Sequence, residues 1–210
     1  MVNNFLDPIK AQYAPFAGKK IILGSQSPRR KTLLEGLGIQ PEVRTNDMDE
    51  SIPADLPAHQ APEYLAKKKA IAFLPHLKPE ELLITADTVV IVDNQVINKP
   101  VDLEDAKVML RRLSGRMHKV VSGVCISSLK QTHSFSETTS VFFRALSEEQ
   151  ISYYVENYKP LDKAGAYGIQ EWIGLVAIEK IEGDFYNVMG LPVGRLVEEM
   201  RECENVRTEN

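Results

Sequence analysis

Hydrophobic and polar positions along the chain follow two periods, and the switches between them mark the elements. Residues 20–24 are a short apolar run and read as a buried strand. Ser27 and Pro28 follow, and these residue types favour the N-cap and the first position of a helix. Leu33, Leu34 and Leu37 give that helix one apolar face, and Gly36 and Gly38 end it. Residues 41–45 predict a second strand, and the acidic stretch 47–57 predicts a loop. Across 62–77, Leu65, Ala66, Ala70, Ile71 and Leu74 recur at helical spacing. Residues 82–86 and 89–93 are strand-like, and Asp93-Asn94 begins a hairpin turn into Val96 and Ile97. A helix is expected over 102–113, with Asp102 as N-cap and Ser114-Gly115 as its stop. Residues 120–129 and 133–143 alternate as two antiparallel strands around Lys130 and Gln131. Ser147 and Gln150 form a capping box for a helix over 147–157. Residues 173–181 read as a strand and 192–203 as a closing amphipathic helix. Antiparallel neighbours with helices between them predict a mixed α/β sheet and argue against a strictly alternating doubly wound fold.

Composition narrows the classes. The 210 residues suit one domain, divided here into an N-terminal extension (1–18), a core (19–203) and a polar tail (204–210). Lys and Arg number 25 against 29 Asp and Glu, a net charge of −4, which argues against a protein that coats nucleic acid. A small anionic substrate stays open, since a few placed cations serve it inside an acidic protein. The two cysteines, Cys125 and Cys203, have no metal spacing and build no disulfide scaffold. The N-terminal residues lack a signal-peptide core, and the stretch 82–92 is too short and polar to span a bilayer. A soluble, cytoplasmic protein without membrane contact is the expectation.

Four segments carry candidate chemistry. Ser25, Gln26, Ser27, Pro28, Arg29, Arg30 and Lys31 place hydroxyls and cations at a helix N-terminus, where backbone N–H groups and the helix dipole favour an anion. The competing reading is a capped helix with a solvated basic first turn. Asp87 interrupts an apolar strand, and a carboxylate there needs a cation, a metal or backbone donors. Left unpaired, it suits a general base or a metal ligand. Lys67, Lys68 and Lys69 point in different directions from one helix, so at most one or two reach a site; Lys99 follows the small hairpin. Gly165, Gly168 and Gln170 lie in a loop that permits close backbone approach, with an amide suited to the edge of a base. His59, His76, His118 and His133 show no metal spacing, and His118 is the one with a place in a core or a site.

These segments, taken in order, closely resemble the Maf (septum-formation) family of nucleoside triphosphate pyrophosphatases. The resemblance rests on Ser25 to Arg30, the acidic loop at Asp47 to Glu50, Ala66 to Ala70, Ala86 to Val90, Lys99-Pro100, Leu113 to His118, Asp162 to Gln170 and Gly183 to Pro192. It implies an elongated mixed α/β sheet flanked by helices, with two lobes and a central cleft, similar to inosine-triphosphate pyrophosphatases. It implies hydrolysis of a nucleoside triphosphate to the monophosphate and pyrophosphate, with a divalent metal such as Mg or Mn. By the same resemblance Asp87 is the proton acceptor and a metal ligand, and Asp49 helps with the metal or the water. Ser25, Arg29, Arg30, Lys69 and Lys99 would hold phosphates. A homodimer is implied by the family alone.

The family divides by substrate, and Arg29, Thr88 and Gln170 match the pattern of the branch acting on dTTP and UTP. Three positions depart from the family's usual residues: Gly24, Asn98 and Glu171, the last beside the expected base pocket. Two other readings stand beside this one. One is a non-catalytic nucleotide-binding regulator of septation. The other is the same chemistry on another base, such as 7-methyl-GTP.

Overall fold

The computed structural model describes residues 18–205. The expected N-terminal extension and C-terminal tail lie almost wholly outside these residues. The chain runs β1 (Lys20–Leu23), α1 (Pro28–Gly36), β2 (Glu42–Val43), α2 (Ala61–Phe73), β3 (Glu81–Val92), β4 (Gln95–Ile97) and α3 (Leu103–Leu113). It continues through β5 (Met117–Ser127), β6 (Thr132–Phe143), α4 (Glu148–Tyr158), α5 (Trp172–Ala177), β7 (Ile178–Glu182), α6 (Phe185–Met189) and α7 (Val193–Asn205). The strands form one mixed sheet in the order β2-β1-β3-β5-β6-β7, with β4 added to β3. Strands β1 and β2 run parallel to their neighbours, and all other pairings are antiparallel.

Strand β3 organises the molecule. One of its edges pairs with β5 continuously from Leu83 to Ile91. Its other edge pairs with β1 only as far as Ile84 and with β4 only from Val90 onward. Thr85 to Val89 therefore face a gap in the sheet, flanked by the chain leaving β1 and the chain leaving β4. The apolar cores divide at the same place. On one face Ile84 and Ala86 pack with Leu23, Leu34, Val124, Leu191 and Leu196. Further along that face Val90 and Val92 pack with Leu110, Leu113, Val120, Phe143 and Tyr154. On the opposite face α2 lays Ala66, Ala70 and Phe73 over Ile22, Leu83 and Cys125. Each large side chain buried in these clusters contributes about 1.5–3 kcal/mol. Polar Thr85, Asp87 and Thr88 sit where the clusters separate, so the expected two lobes meet at the middle of β3.

A glycine allows α2 to come this close. Gly123 pairs in register with Asp87, and a Cβ on it would lie 2.1 Å from the backbone nitrogen of Glu63. The first turn of α2 thus rests on β5, directly beside the catalytic candidate.

Most elements fall where periodicity placed them, including the Asp102 cap, in which the side chain accepts from the Asp105 N–H, and the Ser147–Gln150 capping box. Three differ. The two strand segments at 82–86 and 89–93 are one strand, because pairing with β5 runs straight past the polar residues. The strand expected over 173–181 begins as helix α5: Ile173 and Ala177, one helical turn apart, are both buried, and strand pairing starts only at Ile178. A short apolar run is compatible with either period until its packing is known. The N-cap position of α1 is Ser27 as expected, but its side chain makes no capping hydrogen bond. Among the described residues no helix is long and apolar enough to cross a membrane.

Candidate active site

A cavity of about 790 Å³ opens at the gap in the sheet. Asp87 on β3 and Lys69 on α2 meet on its wall, with Lys69 Nζ 2.7 Å from Asp87 Oδ1. Both side chains are only 16% exposed, which satisfies the sequence requirement that this carboxylate have a partner. The bond engages Oδ1 alone, and no hydrogen bond to Oδ2 is present among the described residues. Glu50 Oε1 lies 2.9 Å from the same Nζ. Its hydrogen bond from Lys69, with the fields of Lys99 and Arg30, holds the Glu50 carboxyl below the ordinary range.

The three consecutive lysines diverge as their helix requires. Lys67 pairs with Glu63, Lys68 with Asp49 and Lys69 with Asp87 and Glu50. Asp49 lines the cavity, but its carboxylate is turned to Ser51 and Lys68 and is 74% exposed. Glu50, which the sequence reading passed over, is the acid brought to Asp87. Side-chain direction alternates in an extended loop, so neighbouring acids cannot be told apart from sequence alone.

The chain leaving β1 supplies the next wall. The Arg29 guanidinium is 2.6 Å from Asp162 Oδ2 and partly exposed in the cavity. Arg30 is buried and turned inward. It donates from Nε to the Gly190 carbonyl (2.8 Å), from Nη1 to the Ala86 carbonyl (2.9 Å) and Ser25 Oγ (3.0 Å), and from Nη2 to Thr88 Oγ1 (3.1 Å). The Ala86 carbonyl belongs to the gap in the sheet, so Arg30 replaces there a missing strand neighbour. Four of the five guanidinium donors are thereby taken by protein. Burial pushes the Arg30 pKa down from the ordinary arginine value, and the nearby Asp87 opposes that shift. Ser25 Oγ also accepts from the Ser27 N–H at 3.2 Å. With no side-chain cap on α1, its first N–H groups remain turned to the cavity end where an anion would sit.

Thr88 lies on the other face of β3 from Asp87. Besides Arg30 it contacts Ser122 Oγ at 2.8 Å, and Ser122 donates to the Asn187 carbonyl. Lys99 stands exposed at the rim, with no ion pair among the described residues. At the far end Gln170 is exposed and lines the cavity beside Val90, Val120 and Tyr167, and its side chain makes no hydrogen bond with the described residues. A polar amide above apolar walls suits a planar base. His118 is placed in the core: Nε2 is 2.7 Å from the Tyr167 hydroxyl, and burial pushes its pKa down to about 4.

Asp87 and Glu50 offer hard oxygen donors beside one another. No group of three or more His, Cys, Asp or Glu gathers into a metal cage among the described residues. This pair suits a Mg-like ion, which is commonly held by one or two carboxylates together with substrate phosphates.

Ser25, Arg29, Arg30, Asp49, Lys69, Asp87, Thr88, Lys99 and Gln170 all line this one cavity, whereas Lys67, Lys68 and His118 do not. Curated relatives include the "dTTP/UTP pyrophosphatase" of Porphyromonas gingivalis, 55% identical over 186 residues, spanning 87% of this chain and 94% of the relative. The protein of the same description from Bacteroides thetaiotaomicron is 51% identical over 183 residues, 87% of this chain and 95% of the relative. Among solved structures, the Staphylococcus aureus Ham1 protein aligns with a TM-score of 0.45 at 16% identity, over 60% of this chain and 72% of that one. The family model described as Maf-like protein matches residues 20–203. With that match spanning nearly the whole described chain, and relatives half identical over almost their full lengths, the chain belongs to the Maf-like protein family.

Proposed function

We propose that this protein hydrolyses dTTP and UTP to the nucleoside monophosphate and pyrophosphate. The observation that carries the proposal is the Asp87–Lys69 pair at the open edge of β3, inside a cavity walled by cations at one end and by apolar residues with a free amide at the other. Relatives at about half identity carry the description dTTP/UTP pyrophosphatase, and Arg29, Thr88 and Gln170 are the residues that matched that branch in sequence.

The triphosphate lies toward Arg29, Lys99 and the uncapped N-terminus of α1. Arg29 exchanges Asp162 for phosphate oxygens, a charge-assisted contact that Arg makes well. Arg30 works differently. With four donors already engaged, it braces Ala86, Thr88 and Gly190 and keeps β3 in place. Lys69 fixes the Asp87 carboxylate through Oδ1, leaving Oδ2 to take a proton from water as that water attacks the α-phosphorus. Pyrophosphate leaves from the opposite side. Asp87 and Glu50 are the residues that would hold a divalent cation, which when bound neutralises phosphate charge and stabilises the transition state. Gln170 meets the base edge, and the apolar walls exclude water around the ring.

The test is pyrophosphate release with Mg or Mn over dTTP, UTP, CTP, GTP and 7-methyl-GTP. Turnover is expected with dTTP and UTP, and Asp87→Asn should lower kcat by about 10³-fold with the fold intact, the scale of a lost general base. Near-normal turnover by Asp87→Asn would sink the assignment of the base. Absence of turnover with any nucleotide would favour a nucleotide-binding regulator.

A further inference from the structure

Glu171 does not line the cavity, yet it is bonded to Lys163 and Gly168, which do, and to Tyr154 behind them. Its carboxylate accepts the Tyr154 hydroxyl through Oε2 and lies 3.1 Å from Lys163 Nζ through Oε1. The Tyr154 oxygen in turn accepts the Gly168 N–H at 3.0 Å, and the Glu171 N–H donates to the Gly168 carbonyl at 3.0 Å. The turn from Gly168 to Glu171 is therefore held at both ends, and Gln170 is the residue inside it. Gly168 has no room for a side chain because Glu171 is there: a Cβ would meet the Glu171 carboxylate carbon at 2.9 Å.

The same carboxylate begins a row of alternating charge. Lys163, only 8% exposed, is shared between Glu171 and Asp162, the latter at 2.7 Å. Asp162 then holds Arg29 at 2.6 Å. Arg29, Asp162, Lys163 and Glu171 thus join the phosphate end of the cavity to the turn at its base end. A buried lysine between two carboxylates loses heavily if one is removed, so the row is held as a unit.

We propose that Glu171 is a positioning residue for base selection: through Tyr154 and Lys163 it fixes the turn that aims the Gln170 amide. An amide has a donor end and an acceptor end, and it distinguishes bases by their edges only while its plane is fixed. Uracil and cytosine have nearly the same shape and differ mainly in the donor and acceptor pattern of one edge. Discrimination between UTP and CTP therefore reads the aim of Gln170. This inference rests on the proposed pyrophosphatase reading.

The experiment measures kcat and KM for UTP and CTP in the wild type, Glu171→Gln, Gln170→Ala and the double variant, with a thermal melt for each. Glu171→Gln keeps an acceptor for Tyr154 and removes the charge facing Lys163. It should lower the UTP-to-CTP ratio of kcat/KM about tenfold, mostly through KM. In the Gln170→Ala background the same change should move the ratio by less than about twofold, because its effect passes through the amide. If Glu171→Gln does not fold, Tyr154→Phe cuts the other link and should show the same loss of discrimination. An unchanged ratio, an equal loss for both nucleotides, or an undiminished effect without Gln170 overturns the inference. So does a wild type that turns over UTP and CTP equally. A wild type that hydrolyses no triphosphate overturns the pyrophosphatase reading itself, a result distinct from all of these.

Discussion

Replacing Arg30 with methionine, beside the same change at Arg29, tests whether one holds the site together while the other has the proposed role in phosphate binding. The methionine fills part of the stem's volume and removes every donor. Two buried backbone carbonyls, Ala86 and Gly190, lose their guanidinium partner, and Ser25 and Thr88 lose one hydrogen bond each. An unsatisfied buried acceptor costs about 1–3 kcal/mol, and losing a bond whose partner can turn elsewhere costs less. Relief from burying the charge offsets part of this. The net is a destabilisation of about 3 kcal/mol, which for a chain of this size lowers the melting temperature by about 6–12 °C. Calorimetry and urea unfolding measure it directly. Arg29→Met is the contrast, since Arg29 has one ion pair, to an Asp162 side chain that is 54% exposed. Exposed pairs contribute about 0–1 kcal/mol, so this variant should melt near the wild type while raising KM for dTTP. An Arg30→Met protein melting within about 2 °C of wild type, or one less perturbed than Arg29→Met, would refute the assignment of Arg30 to the fold.

The structure also predicts two acid-sensitive windows and one steric failure. His118 is kept neutral by burial, its pKa pushed down to about 4, whereas the unfolded chain takes up the proton near pH 6.5. Stability should therefore be full above about pH 6.5 and fall by up to about 3 kcal/mol as the pH drops toward 4, a slope that His118→Gln should flatten in urea titrations. Glu81 is held at about 2, chiefly by its paired bonds from Arg44 and also by the Lys78 N–H. Its contribution is present above about pH 4.5 and lost as the pH falls toward 2; with Arg44 partly open to solvent it amounts to about 2 kcal/mol, and Glu81→Gln should remove that lower step. Gly123→Ala puts a methyl 2.1 Å from the Glu63 nitrogen, so α2 must move off the sheet. A loss of about 3 kcal/mol or more is expected, with Lys69 drawn from Asp87 and turnover reduced. A variant that melts and turns over like the wild type would show that α2 shifts without cost.

Much of the site was legible because its chemistry is local. Asp87 in an apolar strand, cations at a helix N-terminus and a glycine-rich loop ending in Gln170 are each visible within a few residues. The division of labour within those motifs was not. Arg29 and Arg30 are adjacent, chemically identical and both line the cavity, yet one is partly exposed with a single ion pair and the other is buried in hydrogen bonds to Gly190, Ala86 and Thr88, partners 160, 56 and 58 residues away. Asp49 and Glu50 likewise differ only in which way the loop turns them. Glu171 stood out as a departure from the usual family residue, but its bonds to Tyr154 and Lys163 depend on how α4 and α5 pack.

Period, capping chemistry and motif order are properties of neighbouring residues, so the sequence carried the family, most of the elements and the Asp102 and Ser147 caps, though not a side-chain cap at Ser27. It failed at 173–181, where a short apolar run fits a helix and a strand equally until burial chooses. Tertiary structure alone decided where the sheet opens. Along β3, pairing with β1 stops at Ile84 and pairing with β4 starts at Val90, leaving Thr85 to Val89 without a neighbour on that edge. A backbone carbonyl left without a strand partner in such a gap needs another donor, and Arg30 supplies it at Ala86, while Asp87 in the same gap meets Lys69 of α2. No local pattern encodes it, since it follows from the lengths of strands that meet only after the chain has folded.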